Sequence, residues 1–154
     1  MDPEATTANA SLYTWHYTHG VDEKRRVAVP AKWRNEENGN VFTLIVWQSS
    51  DGTCVRAYPP KQMAKLLGEI DARPADDPNR GRLRRMIGGG SEQVVLDKVG
   101  RICLPEEMAR AAGIEDKAVL VGAMDRFEIW SVERYQKVSE ADSVMAPEAL
   151  KLLG

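Results

Sequence analysis

The segments Asp22-Glu-Lys-Arg-Arg26 and Asp97-Lys-Val-Gly-Arg101 each place a carboxylate four residues ahead of a guanidinium. Five residues between short apolar runs read as a tight loop, in which the Asp accepts hydrogen bonds from turn amides and orients the Arg, with Gly100 suited to positive φ. An arginine held on a rigid loop presents a planar fork that fits phosphate oxygens or the O6/N7 edge of guanine. The same residues also suit a structural salt bridge that closes a turn. Both readings stay open, and two copies at matching positions, one flanked by Lys24 and Arg25, strengthen the first.

These loops belong to a larger internal repeat. Asp22 to Pro30 aligns with Asp97 to Pro105 at a spacing of 75, with Asp, Arg, two apolar positions and Pro coinciding. In the first half Phe42 to Trp47, Asp51-Gly52 and Cys54 to Tyr58 then read as strand, hairpin turn and strand. The second half repeats the pattern with Ala118 to Val121, Asp125-Arg126 and Phe127 to Trp130. Val27 to Val29 and Ile102 to Leu104 predict short strands, followed by helices from Pro30 to Glu37 and from Pro105 to Ala112. Met63, Leu66, Leu67 and Ile70 fall at helical spacing. Asp77-Pro78 predicts the N-cap and first turn of a linking helix that Gly88 stops. Ser131 is positioned to cap a helix carrying Val132, Tyr135 and Val138, and Pro147 to open a last short turn. The predicted fold class is α+β, without the βαβ alternation of a dinucleotide-binding domain.

The chain has 154 residues and a formal net charge of -2, which taken alone speaks against nucleic acid. The charge is segregated, however: residues 22–34 hold five basic against two acidic side chains, residues 61–85 seven against four, and residues 102–154 six against ten. One face can therefore hold an anion while another keeps the chain soluble, since fields beyond about 8 Å are screened at physiological salt. No apolar run is long enough for a membrane span, and the N-terminal residues lack the apolar stretch of a signal peptide. A cytoplasmic location is expected. Cys54 and Cys103 are expected to be small buried thiols. His16 and His19 lack a ligand cluster, so neither a metal nor a cofactor is expected, and no frame of catalytic residues points to an enzyme. Gly88-Gly-Gly-Ser91 reads as a helix stop and hinge. Arg80, Arg82, Arg84 and Arg85 suit a solvated helix face or a subunit contact.

The two Asp-x-x-x-Arg-x-x-x-Pro segments, the intervening Asp77 to Ser91, and the closing Leu120-Val-Gly122 and Phe127-Glu-Ile-Trp130 together resemble the MraZ family over about residues 12–140. The resemblance implies tandem AbrB-like halves interleaved in a double-split β-α-β, swapped-hairpin β-barrel with flanking helices. The expected segments are an N-terminal stretch without fixed structure at 1–11, halves at 12–76 and 92–141, a linking helix at 77–91 and a tail at 142–154. It further implies a regulator associated with the nucleoid, which represses the bacterial division and cell-wall gene cluster as a ring-shaped homo-oligomer bound to G-rich direct repeats upstream of its own operon. Carried over by position, Arg26 and Arg101 would contact bases. Lys24, Arg25 and Lys98 would contact phosphates, with Asp22, Asp97 and Gly100 supporting the loops.

Three positions depart from the family pattern. Arg25 stands at the usual glycine of the first motif, which implies either a different turn or strain. Val99 stands where lysine often occurs, and no Phe-x-Gly start is evident around Tyr13-Thr14-Trp15. Two other classes fit the same features: a ring-forming assembly protein whose loops are mere turns, and an AbrB-type antitoxin-like regulator.

Overall fold

In the computed structural model, residues 12–34 and 39–154 are described; the N-terminal residues 1–11 expected to lack fixed structure lie outside them. Eight strands form on the apolar and β-branched runs: β1 His16–Gly20, β2 Arg26–Ala28, β3 Val41–Ser49, β4 Gly52–Tyr58, β5 Ser91–Val95, β6 Arg101–Cys103, β7 Lys117–Gly122 and β8 Phe127–Ser131. Four α-helices accompany them among the described residues: α1 Pro60–Asp71, α2 Pro78–Gly89, α3 Glu106–Ala112 and α4 Val132–Leu150. The fold class is α+β, as the periodicities predict.

Six strands make one antiparallel sheet in the order β1-β7-β8-β4-β3-β5, and β2 pairs with β6 in a separate two-stranded ribbon. Each half gives its leading strand to the other: β1 pairs with β7, and β5 pairs with β3. The two halves thus complete each other's part of the sheet. The sheet order maps onto itself when the halves are exchanged, with β4 and β8 paired at the centre. The hydrogen-bonded order leaves β1 and β5 as edges, and the ribbon spans them, with β2 packing beside β1 and β6 beside β5.

The ribbon closes the core because its alternation is strict. Val27 and Ile102 are directly opposite each other and point inward, fully buried, while Arg26, Ala28, Arg101 and Cys103 point outward. Beneath lies a cluster of edge-to-face and tilted rings: Phe127 is 5.1 Å from both Trp33 and Phe42, and Tyr13 is 5.7 Å from Phe127. Tyr13 occupies the place of the missing Phe-x-Gly start. Its amide donates to Met124 O and its carbonyl accepts from Met124 N. This crossing demands Gly122, where a Cβ would lie 2.5 Å from Tyr13 O.

The expected helix from Pro30 to Glu37 is instead a single 3-10 turn over Ala31–Trp33, with Arg34 already extended. Trp33 is committed to the core, its Nε1 donating to Thr14 O at 3.0 Å, and this draws the chain off a helical path. Residues 35–38 lie outside the described ones. The hairpin turn is Ser50-Asp51, because Gly52 pairs with Ser49 as the first residue of β4. In the matching turn positive φ falls on Met124 rather than on Asp125 or Arg126.

Asp77 caps α2 as predicted, its carboxylate accepting from Asn79 N. The helix runs through Gly88 and ends at Gly89, so Gly88 does not stop it. Ser131 caps α4 by accepting from Arg134 N. That helix passes residue 142 and Pro147 without a break, so the expected tail is mostly helix, followed by a 3-10 turn at Lys151–Leu153. A proline forfeits one i→i−4 bond, here the one to Ser143. Cys54 is buried, which pushes its thiol up to about 12, whereas Cys103, also expected to be buried, is exposed on the outer face of the ribbon.

Candidate functional site

Both Asp-x-x-x-Arg loops adopt one turn. In the first, Asp22 N donates to Arg26 O and Arg25 N donates to Asp22 O. Asp22 Oδ1 accepts from the amides of Lys24 (2.9 Å) and Arg26 (2.8 Å), and Oδ2 accepts from Arg26 Nε at 2.7 Å. The second loop repeats each bond: Asp97 Oδ1 accepts from Val99 N (3.0 Å) and Arg101 N (2.9 Å), and Oδ2 from Arg101 Nε at 2.9 Å. The amide of Arg26 in one loop, and of Arg101 in the other, holds the Asp carboxyl below its usual range.

The consequence is orientation. Each Asp grips the Nε edge of its Arg, and the Nη groups make no hydrogen bond among the described residues, with each side chain about one-third exposed. Strand register makes Arg26 opposite Cys103 and Arg101 opposite Ala28. The two arginines are therefore diagonal neighbours, with Cα atoms about 7–8 Å apart. Asp22 also lies 3.9 Å from Arg101 Nη1, so it serves both arginines, whereas among the described residues Asp97 pairs only with Arg101. Lys24 and Lys98 are exposed on the two loops beside this pair. Of the five residues expected to contact nucleic acid, four lie exposed or half-buried on the ribbon and its two loops.

Arg25 is the fifth, and it turns inward. Its backbone takes φ 61, the left-handed region, so the turn is the one its glycine counterpart makes. Its Nε donates to Leu104 O at 3.1 Å. In the second loop Gly100 takes φ 84, and the same service comes from elsewhere: Arg34 Nε donates to Val29 O at 3.1 Å. Val29 and Leu104 are repeat equivalents. So are Arg34 and Ala109, and Ala109 shares a cavity wall with Arg25. A Cβ on Gly100 would lie 2.1 Å from Arg34 Cζ. Each loop is thus packed by one guanidinium, rooted in the turn in one case and in the opposite half in the other.

Sequence reading missed Arg34, Ala28 and the exposure of Cys103. The signal for Arg34 was present in the repeat alignment, where Arg25/Ala109 and Gly100/Arg34 each hold one arginine. Cys103 Sγ donates to Lys24 O at 3.3 Å, a tie between β6 and the first loop. His16 and His19 lie three apart on β1, an odd spacing that sends them to opposite faces of the sheet.

The sequence model of the family described as "MraZ protein, putative antitoxin-like" matches residues 87–152. Transcriptional regulator MraZ of Herpetosiphon aurantiacus is 36% identical over 136 residues, covering 88% of this chain and 92% of the relative. The Clostridium beijerinckii protein of that name is 33% identical over 131 residues, 85% and 89% of the two chains. That of Thermomicrobium roseum is 30% identical over 143 residues, 92% and 97%. With the paired loops, the interleaved halves and this similarity along nearly its whole length, the chain belongs to the MraZ family.

Proposed function

We propose that this protein is a transcriptional regulator that binds double-stranded DNA through the outer face of the β2–β6 ribbon. One observation carries the reading: two arginines, each held at Nε by its own Asp, stand side by side on a two-stranded ribbon, partly exposed and with Nη groups free of hydrogen bonds among the described residues. A two-stranded ribbon fits the major groove, and a preoriented guanidinium there pairs bidentately with guanine, worth about 1–3 kcal/mol of discrimination. Arg26 and Arg101 supply the base contacts, and Lys24 and Lys98 supply phosphate contacts that fall steeply with salt. Arg25 packs the first loop and makes no DNA contact in this reading.

A single ribbon binds weakly. Several ribbons at fixed spacing in a homo-oligomeric ring turn later contacts into intramolecular ones, at effective concentrations on the order of mM. G-rich direct repeats upstream of its own operon, a cluster of division and cell-wall genes, are the proposed target. Repression there, from a cytoplasmic, nucleoid-associated pool, is the proposed outcome. A gel-shift titration on that upstream region tests it: Arg26→Ala abolishes the repeat-specific shift while the oligomer keeps its size. A folded Arg26→Ala that still shifts tandem repeats specifically refutes the assignment of that residue.

A further inference from the structure

The β2–β6 ribbon has a twofold axis built into its register. Val27 and Ile102, which are repeat equivalents, are directly opposite each other, so Arg26 faces Cys103 on one side of them and Ala28 faces Arg101 on the other. Half a turn about the Val27–Ile102 pair exchanges Arg26 with Arg101 and Ala28 with Cys103. The arginines come through this exchange alike, each held at Nε by its own Asp, at 2.7 and 2.9 Å. A reading face of that symmetry has no direction. Direct repeats, the target proposed above, have one, so an inequivalent pair of side chains must tell the two orientations apart.

Three such pairs stand on the ribbon and its loop ends: Glu23 and Lys98, Lys24 and Val99, Ala28 and Cys103. The first two are exposed on the loop ends, where phosphates are the partners within reach. Phosphate contacts carry no base information, and the phosphates of a B-form duplex are themselves related by dyads, so a reversed ribbon meets them again. The third pair shares the outer face of the strands with the arginines. Ala28, half-buried, offers a bare methyl opposite Arg101. Cys103 offers a sulfur opposite Arg26, and that sulfur donates to Lys24 O at 3.3 Å. In the major groove guanine presents O6 and N7 to an arginine, and thymine presents its C5 methyl to a short apolar side chain.

We infer that Ala28 sets the direction in which the ribbon reads each repeat, its methyl packing on the C5 methyl of a thymine beside the guanine that Arg101 contacts. This deepens the DNA-binding function proposed above and rests on it. Reversing one repeat hands its guanine to Arg26 and puts its thymine against Cys103, so one methyl contact is lost. Burying a group of that size is worth about fourfold in affinity. The preference is small for a single repeat and multiplies along an array, because well-separated sites contribute independently.

Fluorescence anisotropy on duplexes of four repeats tests it, with all repeats in line or with alternate ones reversed at the same spacing. The wild-type chain binds the in-line duplex about 16-fold more tightly, about fourfold for each of the two reversed repeats. Cys103→Ala makes the two ends of the face alike and brings the ratio to about one. Lys98→Glu/Val99→Lys makes the second loop end match the first; it changes overall affinity and salt slope but keeps the ratio. Deoxyuridine in place of thymine deletes only the methyl, costs the wild type about fourfold per repeat and costs Ala28→Gly nothing further. That arm changes the DNA alone, so it stands even where a variant folds poorly. Equal wild-type binding to the two duplexes, a ratio that persists in Cys103→Ala, a ratio lost in Lys98→Glu/Val99→Lys, or wild-type indifference to deoxyuridine overturns the inference. A wild-type chain that binds a scrambled duplex as tightly as the repeats refutes the proposed function itself, so the two failures are distinguishable.

Discussion

In the first loop the guanidinium that fills the space beside the turn grows from the turn itself, at Arg25; in the second it arrives from the opposite half, at Arg34, and the turn carries Gly100. Both bond a carbonyl at the same repeat position, Leu104 O and Val29 O. The first arrangement places a non-glycine residue at positive φ, a cost of about 1–2 kcal/mol, offset by a charged donor on a carbonyl worth about 1.5–3 kcal/mol. The second leaves the turn unstrained and draws the arginine across from the segment after the 3-10 turn. The turn geometry is therefore the shared requirement, and the origin of the guanidinium that packs it is negotiable.

The sharpest way to break this comparison is to put two guanidinium groups in one place. Gly100→Arg places a side chain where Arg34 lies and is expected to destabilise the fold by about 3 kcal/mol, through overpacking and positive φ together. Gly100→Arg/Arg34→Ala reproduces the first loop's pairing and is expected to recover most of that loss. Urea denaturation of the four chains gives the coupling as a double-mutant cycle. Additive effects would show that the two guanidinium groups do not share a site.

DNA binding separates the loops next. Asp22 reaches both arginines, while Asp97 reaches one. Asp22→Ala is expected to weaken repeat-specific binding on the order of tenfold, and Asp97→Ala only a few-fold, because loss of preorganisation scales with the number of guanidinium groups released. Fluorescence anisotropy on one labelled operator ranks them. Equal losses would mean that the 3.9 Å approach of Arg101 to Asp22 carries no orientation.

Much of this site is legible in the sequence, because the repeat of 75 residues carries the chemistry that shapes each turn: Asp to accept turn amides, Arg to be held, Pro to end the strand. What stayed hidden depended on contacts between the halves. The helix expected after Pro30 shortened to a turn because Trp33 is drawn into an aromatic cluster assembled from both halves, a long-range effect invisible to local propensity. Tyr13 passed as a missing motif because its partner Gly122 is more than 100 residues away. Cys103 looked buried by composition, yet its neighbour Ile102 takes the inward position and alternation exposes the thiol. The end of α4 was expected to be a separate short turn because a proline inside a helix reads as a boundary.

Acid tests whether the loops titrate as a pair. The Arg26 and Arg101 amides hold the carboxyls of Asp22 and Asp97 below their ordinary range, so the charged form is favoured in the folded loop. Their contribution is fully present above the unfolded Asp value of about 3.9 and is lost as pH falls through the depressed native values. Binding is therefore expected to be flat from about pH 8 to pH 5, measured at constant salt. A break near pH 6 to 7 would place a histidine, not these carboxyls, in control.

The smallest expected effect is the most discriminating for the comparison. Arg25→Gly removes the positive-φ cost and also the bond to Leu104 O, two terms of similar size and opposite sign, so stability is expected to change by less than about 1 kcal/mol. Because the side chain points inward, specific DNA affinity and its salt slope are expected to hold as well. If the slope of log K against log salt falls by about one phosphate contact, the Arg25 guanidinium leaves Leu104 for DNA. The two loops would then differ in what they touch as well as in how they are packed, and the first would carry more of the binding than its twin.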